Sequence, residues 1–242
     1  MVHIWVRATL DYDDARAFAE QLKPGFRAMV ELWDATLTVP YREFRGRVRA
    51  IARENLAQVE GAACSAWEAI PAGALVLPCD DDDWFRPDAA AVAARAAGPS
   101  GVRWRSSFLE VPMHWRHKLG IWRRHVQGPR PDFLCTTNNY ALFKAPDAQE
   151  RMRNHLVASA WVRERPPGEV PFLRERLSLM NRTIASQTSL GRFGGGAISR
   201  TALLRKLRSY RRLYDAPLRD ELAWAQPHAD RMRDLMAELK LR

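Results

Sequence analysis

A chain of 242 residues, 47% hydrophobic and 27% charged, is long enough to bury a core as one large domain or two small ones and has the balance of a water-soluble globular protein. No apolar run approaches the roughly 20 residues of a membrane-spanning helix, and the first ten residues lack the layout of a signal peptide, so a cytoplasmic location is expected. The formal charge of +10 favours anionic partners, whereas Cys64, Cys79 and Cys135 are too scattered for a disulfide framework or a zinc site.

Residues 2–10 alternate apolar and polar side chains and predict a strand. Asp13 or Asp14 is placed to cap a helix over 14–23, which Lys23-Pro24-Gly25 ends. Within 27–39, the apolar stretch from Ala28 to Trp33 predicts a second strand. Arg42 to Val59 has helical spacing, with Phe44, Val48, Ile51, Ala52 and Leu56 on one face, and 62–70 read as a further helical piece. After the turn Pro71-Ala72-Gly73, the run Ala74-Leu75-Val76-Leu77-Pro78-Cys79 is apolar without alternation, the pattern of a strand covered on both faces in a parallel sheet. It ends in Asp80-Asp81-Asp82-Asp83, and an alanine-rich helix runs from about Asp88 to Ala97.

Gly98-Pro99-Ser100-Gly101 is a loop, and 102–112 predict another strand. His114 to Arg130 is basic and aromatic without a clear period. Residues 133–137 and 140–143 read as short strands around Asn138-Asn139, 147–163 as helix and 171–180 as a short helix. Residues 192–197 form a glycine-rich loop, and the remainder is helical and highly charged. Strand–helix alternation in the first half predicts an α/β fold.

Four adjacent carboxylates repel one another, and a divalent cation among them relieves the repulsion. Magnesium and manganese select oxygen ligands and bridge to substrate phosphates. The position also suits this, because ligands of open α/β sheets gather at the carboxyl ends of strands. The plain alternative is an acidic turn capping the helix near Asp88, for which one aspartate would serve.

The segment from Leu75 to Asp88, with Asp80-Asp81-Asp82-Asp83 followed by Trp84-Phe85-Arg86-Pro87-Asp88, resembles the Asp-x-Asp segment of GT-A fold glycosyltransferases. Ala52-Arg53-Glu54-Asn55-Leu56 is similar to the Ala-Arg-Asn segment of the helix preceding that strand, and the likeness covers roughly residues 2–145. It implies a Rossmann-like, mostly parallel central sheet flanked by helices, with a core over 1–165 and a helical C-terminal region over 166–242. It also implies transfer of a hexosyl or deoxyhexosyl group from a nucleoside-diphosphate sugar, as in the synthesis of bacterial surface polysaccharides. By position, Asp82 would be the main ligand of Mn2+ or Mg2+, assisted by Asp83, with His155 as a further ligand. Asp80 and Asp81 would lie on the nucleotide side, Asp81 bracing the turn, with Arg7, Thr9 and Arg53 as further nucleotide contacts. Asn138, Asn139 and Tyr140 suit recognition of sugar or acceptor hydroxyls, although Asn138-Asn139 also suits a plain tight turn. Glu110 and Asp132 are the candidate bases for an inverting transfer.

His114, His117 and His125 do not read as a zinc site, because Arg116, Lys118, Arg123 and Arg124 surround them. The glycine loop lacks the Lys-Ser/Thr ending of a P-loop and reads as a lid or a linker. Arg200, Arg205, Lys206, Arg208, Arg211 and Arg212 form either a patch for a membrane surface or a solvated helix face. The expected partners are therefore a nucleotide sugar, a carbohydrate or lipid-linked acceptor, and a peripheral contact with the inner membrane face, with nucleic acid disfavoured. The rival readings are a metal-dependent phosphohydrolase or nuclease acting on a polyanion, and a nucleic-acid-binding protein that leaves the aspartates unexplained.

Overall fold

The computed structural model describes residues 1–8, 10–105, 107–110, 125–126, 135–186, 199–215 and 217–242. The strands are β1 (Val2–Arg7), β2 (Ala62–Cys64), β3 (Leu75–Asp80), β4 (Trp84–Phe85), β5 (Gly101–Trp104), β6 (Ser107–Glu110), β7 (His125–Val126), β8 (Tyr140–Phe143), β9 (Phe172–Leu173) and β10 (Ser178–Asn181). The helices are α1 (Ala15–Gln21), α2 (Pro24–Thr36), α3 (Tyr41–Ala57), α4 (Ala89–Ala96), α5 (Ala148–Arg153), α6 (His155–Arg163), α7 (Arg200–Asp215) and α8 (Gln226–Glu238). Among the described residues no helix is long and apolar enough to cross a membrane.

The chain divides into two compact units, each assembled from three segments. The first comprises Met1–Arg7, Ala52–Phe108 and Gln127–Met180; the second comprises Ala8–Ile51, Leu109–Val126 and Asn181–Arg242.

The first unit is an α/β structure around a six-stranded sheet of order β2-β1-β3-β8-β5-β9. β1 pairs in parallel with both β2 and β3, β5 pairs in parallel with β9, and β8 runs antiparallel to its neighbours β3 and β5. The lack of alternation in β3 has the expected cause. Leu75, Leu77 and Cys79 enter one core with Ile4, Phe85 and the alanines of α4. Val76 points to the opposite core, with Tyr140, Leu142, Met152, Ala158 and Val162. Alanine at 89, 90 and 93 lets α4 lie close to its face of the sheet, which offsets the little apolar area each contributes. Gly101 permits the close pairing of β5 with β8: its φ is +146°, and a Cβ there would lie 2.2 Å from the Ala141 carbonyl oxygen.

Four expectations for this unit are corrected. Residues 62–70 are not helical: Ala62–Cys64 takes the open edge of β1, and a single 3-10 turn, Trp67–Ala69, follows. Lys144 Nζ donates to the Trp67 and Ile70 carbonyls at 2.8 and 2.6 Å, satisfying that turn from outside. Residues 171–180 form β9 and β10 instead of a helix, since Phe172 and Leu173 register with Arg103 and Trp104, and Ser178 and Leu179 with Phe85 and Trp84. Residues 135–137 make no ladder; side chains pin them, as described below, and 133–134 lie outside the described residues. The strand expected over 102–112 is divided into β5 and β6, with 111–112 outside the described residues.

The second unit is mainly helical. Asp14 caps α1, accepting from the backbone N–H of Arg16 and Ala17 at 2.7 and 3.0 Å. The stretch expected as a second strand is α2: Pro24 opens it, and Met29, Val30 and Trp33 share a buried helical face. Trp33 then packs edge-on to Tyr41, so a short apolar run that fits either element is settled by its aromatic neighbours. Tyr41 donates to the Ala185 carbonyl at 2.6 Å and Tyr214 to Asn181 Oδ1 at 2.7 Å. The expected C-terminal helices are α7 and α8, packed on each other.

Candidate functional site

β1 is flanked by β2 on one side and β3 on the other, all parallel. The chain leaves β1 towards one edge and returns past it to build β3, so the carboxyl ends of β1 and β3 form a topological switch point, where open α/β sheets leave a crevice for ligands. Arg7 and Asp80 stand there in direct register.

The Arg7 guanidinium lies 2.8 Å from Asp80 Oδ1 and donates to the Thr137 carbonyl at 2.6 Å and to the Met152 carbonyl. It thus ties β1 to β3, to the turn before β8 and to the end of α5. Burial is the largest single influence and works against the Arg7 charge, but Asp80, with Tyr140, Cys79 and Asp83 adding to it, outweighs that and holds the pKa above its ordinary value. The Asp80 side chain keeps 37% of its surface exposed against 11% for Arg7, so one face of the pair is open to a ligand. Desolvation nevertheless pushes the Asp80 carboxyl up to about 6; Arg7 pulls it back, while Asp82 and Asp81 add to the rise.

The four aspartates form a tight turn in which the Asp83 N–H donates to the Asp80 carbonyl at 3.2 Å. Asp81 and Asp82 are each 8% exposed and Asp83 only 1%. The Thr137 hydroxyl donates to Asp83 Oδ2 at 2.5 Å, so one oxygen of the residue expected to assist the metal is engaged within the protein. Beyond the turn, Asn55 clamps the backbone of β4: Oδ1 accepts from the Phe85 N–H at 2.7 Å and Nδ2 donates to the Phe85 carbonyl at 2.9 Å. This gives the Ala52–Leu56 segment a structural role that its sequence likeness does not reveal, while its neighbour Arg53 is exposed on the same helix. The Cys79 thiol, fully buried behind the turn, is pushed well above its usual range by desolvation and the adjacent carboxylates, which makes it inert.

The other expected residues are placed as follows. Asn138, Asn139 and Tyr140 are 0%, 3% and 0% exposed, so all three face the interior rather than a solvent-filled crevice. Asn139 Oδ1 accepts from the Thr136 N–H and Nδ2 donates to the Trp104 carbonyl at 3.0 Å, closing the turn before β8. Asn138 Oδ1 accepts from the Ser178 hydroxyl at 3.2 Å, and that hydroxyl accepts from Trp104 Nε1 at 2.8 Å. Burial raises the Tyr140 phenol above its ordinary value. His155 is the half-buried first residue of α6, three positions after Met152. Glu110 ends β6. Thr9, Asp132, His114, His117 and the glycine loop lie outside the described residues, and of His125 only the backbone, in β7, is described.

Thr137 and the Met152 carbonyl are the site-building groups that sequence reading does not single out, whereas Asn55 enters it as part of the Ala-Arg-Asn likeness. A Thr-Thr pair before Asn138 carries no pattern, and a backbone carbonyl carries none at all. A cavity of about 400 Å³ opens at the opposite end of the same strands, beside Val2, His3 and Leu75, and no carboxylate, lysine or arginine side chain lines it.

Among the described residues no group of three His, Cys, Asp or Glu side chains is arranged to hold a metal by protein ligands alone. The donors at the turn are carboxylate oxygens, which suit magnesium or manganese rather than zinc. No family model matches the chain, and neither a curated protein nor a solved structure is similar enough to it to count as a relative.

Proposed function

We propose that this chain is a GT-A type glycosyltransferase that moves a sugar from a nucleoside-diphosphate donor to a hydroxyl acceptor with the help of Mg2+ or Mn2+. The observation that carries the reading is the Arg7–Asp80 pair at the switch point of parallel β1 and β3, with the Asp80–Asp83 turn closing directly behind it. Asp82 and Asp80 are the residues that would hold the ion. Magnesium commonly takes one or two carboxylates and completes its shell with phosphate and water, so fewer than three protein ligands fits this use. When bound, the ion supplies neutralisation of the departing diphosphate.

The chain's own groups have distinct parts in this reading. Arg7 holds Asp80 in place and lowers the cost of its charge. The Thr137 hydroxyl fixes Asp83, and Asn55 fixes β4, so the turn keeps its shape as ligand arrives. Asn138, Asn139 and Tyr140 support the wall of the site from within rather than touching the sugar.

The test is thermal stabilisation by a panel of nucleoside diphosphates with and without manganese. A rise in Tm that needs both a diphosphate and the metal, and that disappears in Asp82→Asn while the ligand-free Tm is kept, is expected. Stabilisation by DNA or RNA with none by any nucleotide sinks the reading in favour of a phosphohydrolase or nuclease.

A further inference from the structure

The structure assigns to the outward face of α6 a contact between two copies of this chain. α6 belongs to the first unit and buries Ala158, Ser159 and Val162. On its other side Leu156 is 63% exposed and Val157 43%, so two neighbouring aliphatic side chains are left in solvent. Ala160 follows Val157 by three positions, and Glu164 follows Ala160 by four. One line therefore runs along the helix from an apolar first turn to an acidic end.

The charges around this face decide what fits it. Arg151 is paired with Asp147, and Arg165 with Glu169 at 3.7 Å. Both guanidinium groups also lie against the Trp161 ring, 4.5 and 4.3 Å from its centroid, which holds them at the flank. That leaves Arg153 and Arg163 against Glu150 and Glu164, all exposed and none with an ion-pair partner among the described residues. An anionic bilayer or a nucleic acid meets two of these charges with repulsion, whereas a copy of the same surface can match both signs. The ends of α6 carry the match: Arg153 stands just before its start and Glu164 just past its last residue. Two such helices crossing antiparallel about a two-fold axis bring each Glu164 to Arg153 of the other copy, with Leu156 and Val157 between the charged ends. The helix is only about 14 Å long, so the contact is a small one and the association weak, in the micromolar range.

The test is sedimentation velocity of the full chain from low to high micromolar concentration in about 0.15 M salt, where the formal charge of +10 is screened. A weight-average mass that climbs from monomer towards dimer is expected, and Leu156→Glu/Val157→Glu should weaken the association about tenfold or more. Arg153→Glu and Glu164→Arg should each weaken it, and the two together should restore it, because the exchanged charges again meet across the two-fold. All four positions are exposed, and an unchanged Tm of each variant shows that the fold is kept. A monomer at every concentration, association undiminished in Leu156→Glu/Val157→Glu, or a combined charge exchange no better than its single changes would overturn the proposal. Binding of a chain that stays monomeric to vesicles containing phosphatidylglycerol, lost in Leu156→Glu/Val157→Glu, would give the face to a lipid surface instead and overturn it too. The outcome is independent of nucleotide binding at the aspartate turn, so either reading can fail alone.

Discussion

Arg7 and Asp80 face each other at the carboxyl ends of adjacent parallel strands, 2.8 Å apart, and the same guanidinium reaches the Thr137 and Met152 carbonyls. One side chain therefore joins four segments that lie far apart in the sequence. Replacing it with a side chain of similar length removes the charge and the donors together. Arg7→Met is expected to lower unfolding free energy by ~2 kcal/mol, a value held down by the partial exposure of Asp80. Urea unfolding followed by circular dichroism checks this, and an unchanged midpoint would contradict it.

The Asp80 carboxyl, raised to about 6, makes pH a second probe. Its unfolded value is near 3.8, so between these two limits the folded chain binds more protons than the unfolded one. The contribution of this group to stability therefore falls as pH rises through about 6 and recovers on acidification towards 4. Asp80→Asn should flatten that part of the stability–pH curve. A divalent cation must displace the same proton, so metal-dependent nucleotide binding should weaken below about pH 6. Calorimetric titrations in two buffers of different ionisation enthalpy would register the released proton.

Asn55 holds both polar groups of Phe85, and neither partner reaches water. Asn55→Leu should cost ~2–4 kcal/mol by orphaning a buried N–H and C=O. Asn55→Asp, which keeps the acceptor for the Phe85 N–H and loses the donor, should also destabilise the chain. Equilibrium unfolding of both variants measures this.

Thr137 separates the packing of its methyl group from the work of its hydroxyl. Thr137→Val removes the bond to Asp83 and should cost ~1–3 kcal/mol, while Thr137→Ser should cost less than half of that. Metal-dependent nucleotide binding should also drop in Thr137→Val and persist in Thr137→Ser, because only the serine still fixes the carboxylate.

Gly101 tests the β5–β8 contact. An added Cβ meets the backbone of Ala141 and Leu142, neither of which can swing away as a side-chain tip would. Gly101→Ala should destabilise by ~2–4 kcal/mol or prevent folding. A Tm within a degree or two of the wild-type value would show that the strands separate freely there.

The sequence by itself determined the elements whose reason is local. Ala74 to Cys79 has no polar face, so it had to be covered on both sides, and Leu75, Val76 and Leu77 are. Asp13 or Asp14 suited a helix start, a role Asp14 takes, and the carboxylates had to gather where that apolar run meets solvent. The apolar periods of α3, α4 and the C-terminal helices were likewise legible, because a stripe of 3.6 periodicity has one meaning. What the tertiary structure decided lies in choices that local pattern leaves open. The run from Ala28 to Trp33 fits a strand or a helix until Tyr41 packs on Trp33, and Ala62–Cys64 becomes a strand only because β1 offers an edge. Residues 171–180 pair as β9 and β10 for the same reason. Within the aspartate cluster the sequence presents four like carboxylates. Partners distant in the chain make them unlike: Arg7 reaches Asp80 across 73 positions and Thr137 reaches Asp83 across 54. Charge and burial at each oxygen are properties of those contacts, so only the folded chain distinguishes the carboxylates.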